Sequence, residues 1–196
     1  MRAWLMDGYE GVERLRLGEV PDPQPGPVQV LLRVKFAALN PADAFLARKM
    51  YPANPSLPHI LGRDGVGDVI AVGSGVGNVR LGETLGILCC EVGVEMWGTL
   101  AEKVVVPVES VTRIPTGWSC EEMAGAPLVF LTAWQAKADG FPFKVHRILF
   151  SSMTPHDTPP LAIIALFEVS ISTRPLRFRN SRAYTFSCSR QSDVAS

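Results

Sequence analysis

The chain has 196 residues, enough for one well-buried domain with a small appendage, and 47% hydrophobic and 19% charged residues place it with ordinary globular proteins. A formal net charge of zero supplies no global field to recruit nucleic acid or an anionic membrane surface. The opening MRAWLMDGYEGVERL lacks the basic and then apolar pattern of a secretory signal, and the apolar block Leu161 to Phe167 is too short to span a bilayer, so no membrane partner and a cytoplasmic location are expected.

Short β-prone runs open the chain, Arg2 to Met6 and Arg14 to Val20, with Asp7-Gly8 as a turn pair between them. Pro21, Pro23, Pro25 and Pro27 then forbid regular structure. From Gln29 to Leu39 the sequence QVLLRVKFAAL puts Val30, Leu32, Val34 and Phe36 on one face and Leu31, Arg33 and Lys35 on the other, the pattern of a half-buried strand. Asn40-Pro41-Ala42-Asp43 predicts a helix start: Asn40 as cap, proline at the first helical position and an acid at the third. The helix is expected to run through Ala47 and to end in a loop that holds Tyr51, Pro55 and Pro58.

The glycine-dense stretch GRDGVGDVIAVGSGVGNVRLGETLG follows, with Val66 to Val72 as strand and Gly73-Ser74-Gly75 as turn. Thr84 to Leu88, Leu100 to Val106 and Val111 to Ile114 read as further strands. Six or more short strands joined by Gly and Pro turns favour a barrel or sandwich over a layered α/β sheet. Ser119 and Glu122 form a capping-box pair, and Met123, Ala124, Leu128, Leu131 and Trp134 recur at helical spacing, which predicts two short helices hinged at Gly125 to Pro127.

Composition changes after Gly140. Residues 1–140 hold 12 basic and 16 acidic side chains and all 17 glycines, whereas residues 141–196 hold 7 basic and 3 acidic side chains and no glycine. Beyond that point one strand or short helix, around Leu161 to Phe167, is all that the pattern supports.

Several side chains invite a functional reading beside a plainer one. Gly62, Gly65 and Gly67 form GxxGxG, and Gly73, Gly75 and Gly77 alternate, but neither set matches a phosphate-cradling loop, and barrel turns explain them. Cys89 and Cys90 are neighbours that do not easily face one ion, and His59, His146 and His156 show no ligand spacing, so no metal site is expected. Arg63-Asp64 interrupts an apolar stretch; the two charges either pair with each other or shape a ligand cleft. Asn40 is a helix cap at a loop–helix junction, where its amide could also overlie a cleft. Tyr51 and Trp97 either pack ordinarily or line an apolar pocket for a flat substrate. Thr132 is a lone hydroxyl on the late helix.

The blocks VQVLLRVKFAALNPADAF (Val28 to Phe45), LPHILGRDGVGDVIAVGSGVGNVRLGE (Leu57 to Glu83) and WGTLAEKVVVPVESVTRIPTGWSCEEMAGAPLVFLTAWQA (Trp97 to Ala136) resemble the medium-chain dehydrogenase/reductase superfamily, and within it the zinc-independent quinone oxidoreductase-like branch. The resemblance covers roughly the first 140 residues. It implies a mainly β fold: a GroES-like barrel like that of the alcohol dehydrogenase N-terminal domain over residues 1–115, with short helices. A helical connector would occupy 116–140 and an irregular C-terminal tail 141–196. It also implies hydride transfer from NADPH, less often NADH, to a quinone or enone, with a homo-oligomer left open.

Zinc-dependent alcohol dehydrogenases of that superfamily carry cysteine at the position of Asn40 and a histidine–glutamate pair at Arg63-Asp64, so the resemblance implies no catalytic zinc here. By the same resemblance Asn40, Arg63 and Asp64 would form the catalytic polar group. Asn40 and Thr132 would face the nicotinamide cofactor, and Tyr51 and Trp97 would border the substrate. The family pattern then requires a glycine-rich strand–loop–helix after Trp134, where this chain reads GFPFKVHRILFSSMTPHDTPPLAI. The expectation is an N-terminal catalytic-domain fragment, altered by truncation or a frameshift near residue 137 or else a natural short form. It would bind no cofactor tightly and would be inactive alone, the alternative being a non-catalytic binding or structural module built on the same barrel.

Overall fold

The computed structural model describes residues 1–88, 91–138, 144–152 and 162–170, with side chains described up to residue 135. Ten strands and three α-helices are laid out in chain order: β1 (Arg2–Met6), β2 (Arg16–Glu19), β3 (Gln29–Leu39), α1 (Pro41–Leu46), β4 (His59–Ile60), β5 (Asp64–Val72), β6 (Thr84–Ile87), β7 (Lys103–Pro107), β8 (Val111–Arg113), α2 (Cys120–Gly125), α3 (Pro127–Ala138), β9 (Lys144–Ser152) and β10 (Ala162–Ser170).

Strand β3 organises the molecule. One of its edges pairs antiparallel with β5, from Val30↔Val72 to Ala38↔Asp64. β7 pairs antiparallel along Gln29 to Arg33, and β10 pairs parallel along Ala37 to Leu39. The seven-stranded sheet therefore runs β8-β6-β5-β3-β10-β9 with β7 beside β3, and a separate three-stranded sheet runs β2-β1-β4.

This corrects the expected barrel. The fold is mixed α/β, with two open sheets and three α-helices among the described residues. The physical reason is visible where closure would have occurred. Between the two sheets the strand-like contact shrinks to a single bridge, Ala3↔Ala101, while β10 and β9 extend the larger sheet outward from β3. The expected irregular tail is corrected as well, because its described parts, β9 and β10, form an antiparallel pair; the rest of the tail, like Cys89 and Cys90, lies outside the described residues.

The core lies between the two sheets, where Leu5, Met6, Val30, Leu32, Ile60, Leu61, Val69, Ile87, Val104 and Val106 are almost wholly removed from water. A smaller cluster of Val66, Met123 and Ala124 seats α2 on β5. Exposed ion pairs at the rim join the sheets: Arg2 to Glu102 at 2.7 Å, and Asp22 to both the chain amine and Lys103. Each has at least one partner open to solvent and screened by it, so apolar burial is the main adhesive.

Local chemistry sets the helix ends. Asn40 precedes α1 with extended backbone and Pro41 follows at the first helical position, as the sequence predicts. Ser119 Oγ accepts the Glu122 N–H at 3.1 Å while the Glu122 carboxylate takes the Ser119 N–H at 2.8 Å, a reciprocal capping box on α2. The helix α3 starts differently: it follows directly on Ala126, and Gly125-Ala126-Pro127 offers no side chain that could accept its free N–H groups.

Candidate functional site

Two buried carboxylates sit where β3, α1, β5 and α3 meet. Asp43, on α1, accepts the Asn40 N–H at 2.7 Å through Oδ2 and the Gly62 N–H at 3.1 Å through Oδ1. Asp64, at the start of β5, accepts the Asn40 side-chain amide at 3.0 Å through Oδ2, and the Leu128 N–H lies 3.2 Å from each of its oxygens. Asp43 is 1% exposed and Asp64 is wholly buried.

Burial disfavours the charged form of both acids more than their donors favour it. The Asp43 carboxyl is pushed up to about 6 and Asp64 to about 7; for Asp64 the neighbouring Asp43 charge adds to the effect, while Asn40, Leu128 and Arg63 oppose it.

The loop leading into Asp64 is held by close backbone packing. Gly62 has φ 101°, a conformation that favours glycine, and its carbonyl accepts Thr99 N–H at 2.9 Å. Gly98 N–H reaches the Ile60 carbonyl at 2.7 Å, and a Cβ on Gly98 or on Gly93 would run into the Gly62 carbonyl. Thr99 Oγ1 donates to the Asp64 carbonyl at 2.9 Å, which fixes the backbone that carries the acid.

Arg63 takes a different direction. Its Nη1 donates to the Tyr51 hydroxyl at 2.9 Å, and both residues are half-buried. Tyr51 and Trp97 each pack at the edge of the main core. Thr132, on the exposed side of α3, donates its hydroxyl to the Leu128 carbonyl at 2.7 Å.

The structure thus brings Asn40 and Asp64 into contact, joins Arg63 to Tyr51, and links Thr132 to the first group through Leu128. Trp97 has no hydrogen-bonded tie to any of them among the described residues. Of the two readings left open for Arg63-Asp64, mutual pairing gives way to separate partners: Asp64 turns to Asn40 and α3, Arg63 to Tyr51. The sequence reading missed Asp43 as a buried anchor, because an acid at the third helical position looks the same whether it caps a surface helix or crosses to a loop.

A metal has no evident seat in this cluster. Every carboxylate oxygen of Asp43 and Asp64 already accepts an N–H, and no three His, Cys, Asp or Glu side chains converge among the described residues. A nicotinamide dinucleotide fits only in part. The Asn40 amide and the Thr132 hydroxyl, expected to meet its nicotinamide end, already donate to Asp64 and to the Leu128 carbonyl, and the Leu128 N–H at the start of α3 is likewise given to Asp64. No described helix is long and apolar enough to cross a membrane.

Comparison with known proteins agrees with the sheet and helix pattern. Residues 26–116 match the alcohol dehydrogenase GroES-like domain family. The mouse synaptic vesicle membrane protein VAT-1 homolog is 32% identical over 141 residues, which cover 71% of this chain and 33% of that protein. The chloroplastic NADPH-dependent alkenal/one oxidoreductase of Arabidopsis thaliana is 34% identical over 138 residues, 68% of this chain and 36% of that one. Among solved structures, an NAD-dependent alcohol dehydrogenase superposes with a TM-score of 0.66 at 37% identity, over 72% of this chain and 47% of that chain. The chain spans about a third of the length of these two curated relatives. Over these matched residues it is homologous to members of the medium-chain dehydrogenase/reductase superfamily, alcohol dehydrogenase-like and quinone oxidoreductase-like proteins among them.

Proposed function

We propose that residues 1–140 are an N-terminal catalytic-domain fragment of an NAD(P)H-dependent reductase acting on quinones or enones without a catalytic metal, and that this chain by itself holds the cofactor too weakly to turn over. Residues 1–115 would form the catalytic unit, 116–140 the connector and 141–196 an appendage. Asn40, Arg63 and Asp64 would be its polar centre, Asn40 and Thr132 would meet the nicotinamide end of the cofactor, and Tyr51 and Trp97 would flank a flat substrate.

The observation that carries this reading is the commitment of Asp43 and Asp64 to N–H donors. By the resemblance, Asn40 stands where zinc-dependent relatives carry a thiolate; its amide is neutral and donates to Asp64. In a metal-free cleft, charge developing on a substrate oxygen must be met by polar side chains, and the half-buried Arg63 guanidinium, steadied by Tyr51, is the cationic group at hand. The cofactor, when bound, supplies the hydride; the chain's own residues orient the two reactants and keep water away. The Arabidopsis relative, named as an NADPH-dependent alkenal/one oxidoreductase, supports NADPH and an enone.

The alternative is a non-catalytic binding or structural module built on the same fold. The two are separated by adding NADPH to the purified chain. Saturation-transfer NMR should show contact at the nicotinamide protons, without 340 nm turnover of a quinone and enone panel. Lack of any nicotinamide contact overturns the reductase reading, and tight one-to-one binding or turnover overturns the claim of weakness.

A further inference from the structure

Asn40 and Thr132 lie far apart in sequence, on elements that do not adjoin along the chain, yet one short path of hydrogen bonds joins them. The Asn40 amide donates to Asp64 at 3.0 Å; Asp64 takes the Leu128 N–H at 3.2 Å; and the Leu128 carbonyl takes the Thr132 hydroxyl at 2.7 Å. A single residue of α3 is therefore gripped at its N–H by the acid and at its carbonyl by the threonine.

The local sequence explains why the acid comes from afar. α3 has no capping side chain of its own, and its start is served by a carboxylate 64 positions earlier in the chain. A carboxylate at this end of a helix also meets the positive end of the helix dipole.

We propose that Asp64 is a positioning residue whose one carboxylate holds the Asn40 amide and the first turn of α3 together and thereby sets the separation between Asn40 and Thr132. The proposal rests on the reductase reading for what those two side chains would meet, and on geometry alone for the tie. Asp64 is wholly buried, so it acts through Asn40 and α3 rather than on a ligand. The charged groups that face it are Asp43 from α1 and Arg63 from the residue before β5. α3 presents no charged side chain up to Gln135, and the two acids of α2, Glu121 and Glu122, are exposed.

The neutral variant Asp64→Asn has nearly the same shape but turns one acceptor oxygen into an N–H donor, which in either amide orientation faces the Leu128 N–H or the Asn40 amide donor. In isotope-labelled full-length chain, Asp64→Asn should speed amide exchange at Leu128 by about tenfold or release the Asn40 side-chain amide, seen as a shift of its two N–H signals. The wild type provides a second measurement that no folding defect can confound. The Asp64 carboxyl carbon, the Leu128 N–H and the Asn40 amide should move together through one titration. If Leu128 and Asn40 ignore both the substitution and the titration, the proposal is overturned. NADPH added to the wild type examines the underlying reading separately, since absence of shifts at Asn40 and Thr132 removes that reading while the tie is judged by Leu128 and Asn40 alone.

Discussion

The guanidinium of Arg63 donates to the hydroxyl of Tyr51 at 2.9 Å, and its central carbon lies 5.6 Å from the centroid of the same ring. One aromatic side chain thus offers the cation both an acceptor oxygen and a π surface. Tyr51→Phe keeps the ring and removes the oxygen, and should cost about 1 kcal/mol in urea unfolding, the usual net worth of one hydrogen bond. Tyr51→Ala removes both and should cost clearly more, because the ring also packs on the core.

The two buried acids make stability depend on pH in the direction opposite to ordinary surface carboxylates. Asp43 and Asp64 have folded values raised from 3.8 to about 6 and about 7, so between pH 4 and 7 the unfolded chain binds fewer protons than the folded one. Their contribution is therefore greatest below the unfolded value and declines as pH rises through the folded values. Asp64→Asn should flatten the upper part of this decline, and Asp43→Asn the lower part. Urea midpoints measured from pH 4 to 8 would check both slopes.

Gly93 has φ 74°, and a side chain there would press on the Gly62 carbonyl, immediately before Arg63-Asp64. Gly93→Ala should destabilise the fold by about 1 to 3 kcal/mol, the cost of a residue held in a disfavoured conformation against fixed backbone. Gly77→Ala serves as the comparison, since a Cβ there meets nothing within 4 Å. Thermal unfolding of the two variants should rank them in that order.

Two helix caps should differ in consequence. Ser119→Ala removes an exposed capping oxygen from α2 and should cost about 1 kcal/mol. Asn40→Ala keeps the backbone N–H that Asp43 accepts but removes the buried amide that donates to Asp64, leaving that carboxylate short of a donor, so it should cost about 2 kcal/mol or more. Chemical denaturation of both variants at pH 8, where Asp64 is mainly charged, would show the gap at its widest.

Elements whose signals are local were legible in the amino-acid order. The alternation of QVLLRVKFAAL appears as β3 over the same residues, Asn40-Pro41 opens α1, and Ser119 with Glu122 caps α2, because each depends on side chains a few positions apart. β4 was not legible: His59–Ile60 is two residues long, and its strand character comes from pairing with β1. Barrel closure was inferred from the number of short strands, whereas the actual pairing of β3 with β5, β7 and β10 leaves both sheets open.

The candidate site divides along the same line. Arg63 and Asp64 stand out as charges that interrupt an apolar stretch and Asn40 as a helix cap before Pro41, contrasts that the amino-acid order carries without help. Which of them touch is a tertiary matter: Arg63 and Asp64 are adjacent yet part company, one to Tyr51 and the other to Asn40 and Leu128. Composition and periodicity determine where strands, turns and capped helices begin, since those rest on neighbours along the chain. The partners of a buried charge were decided only on folding, because desolvation forces each carboxylate to find donors wherever packing brings them, however distant in sequence.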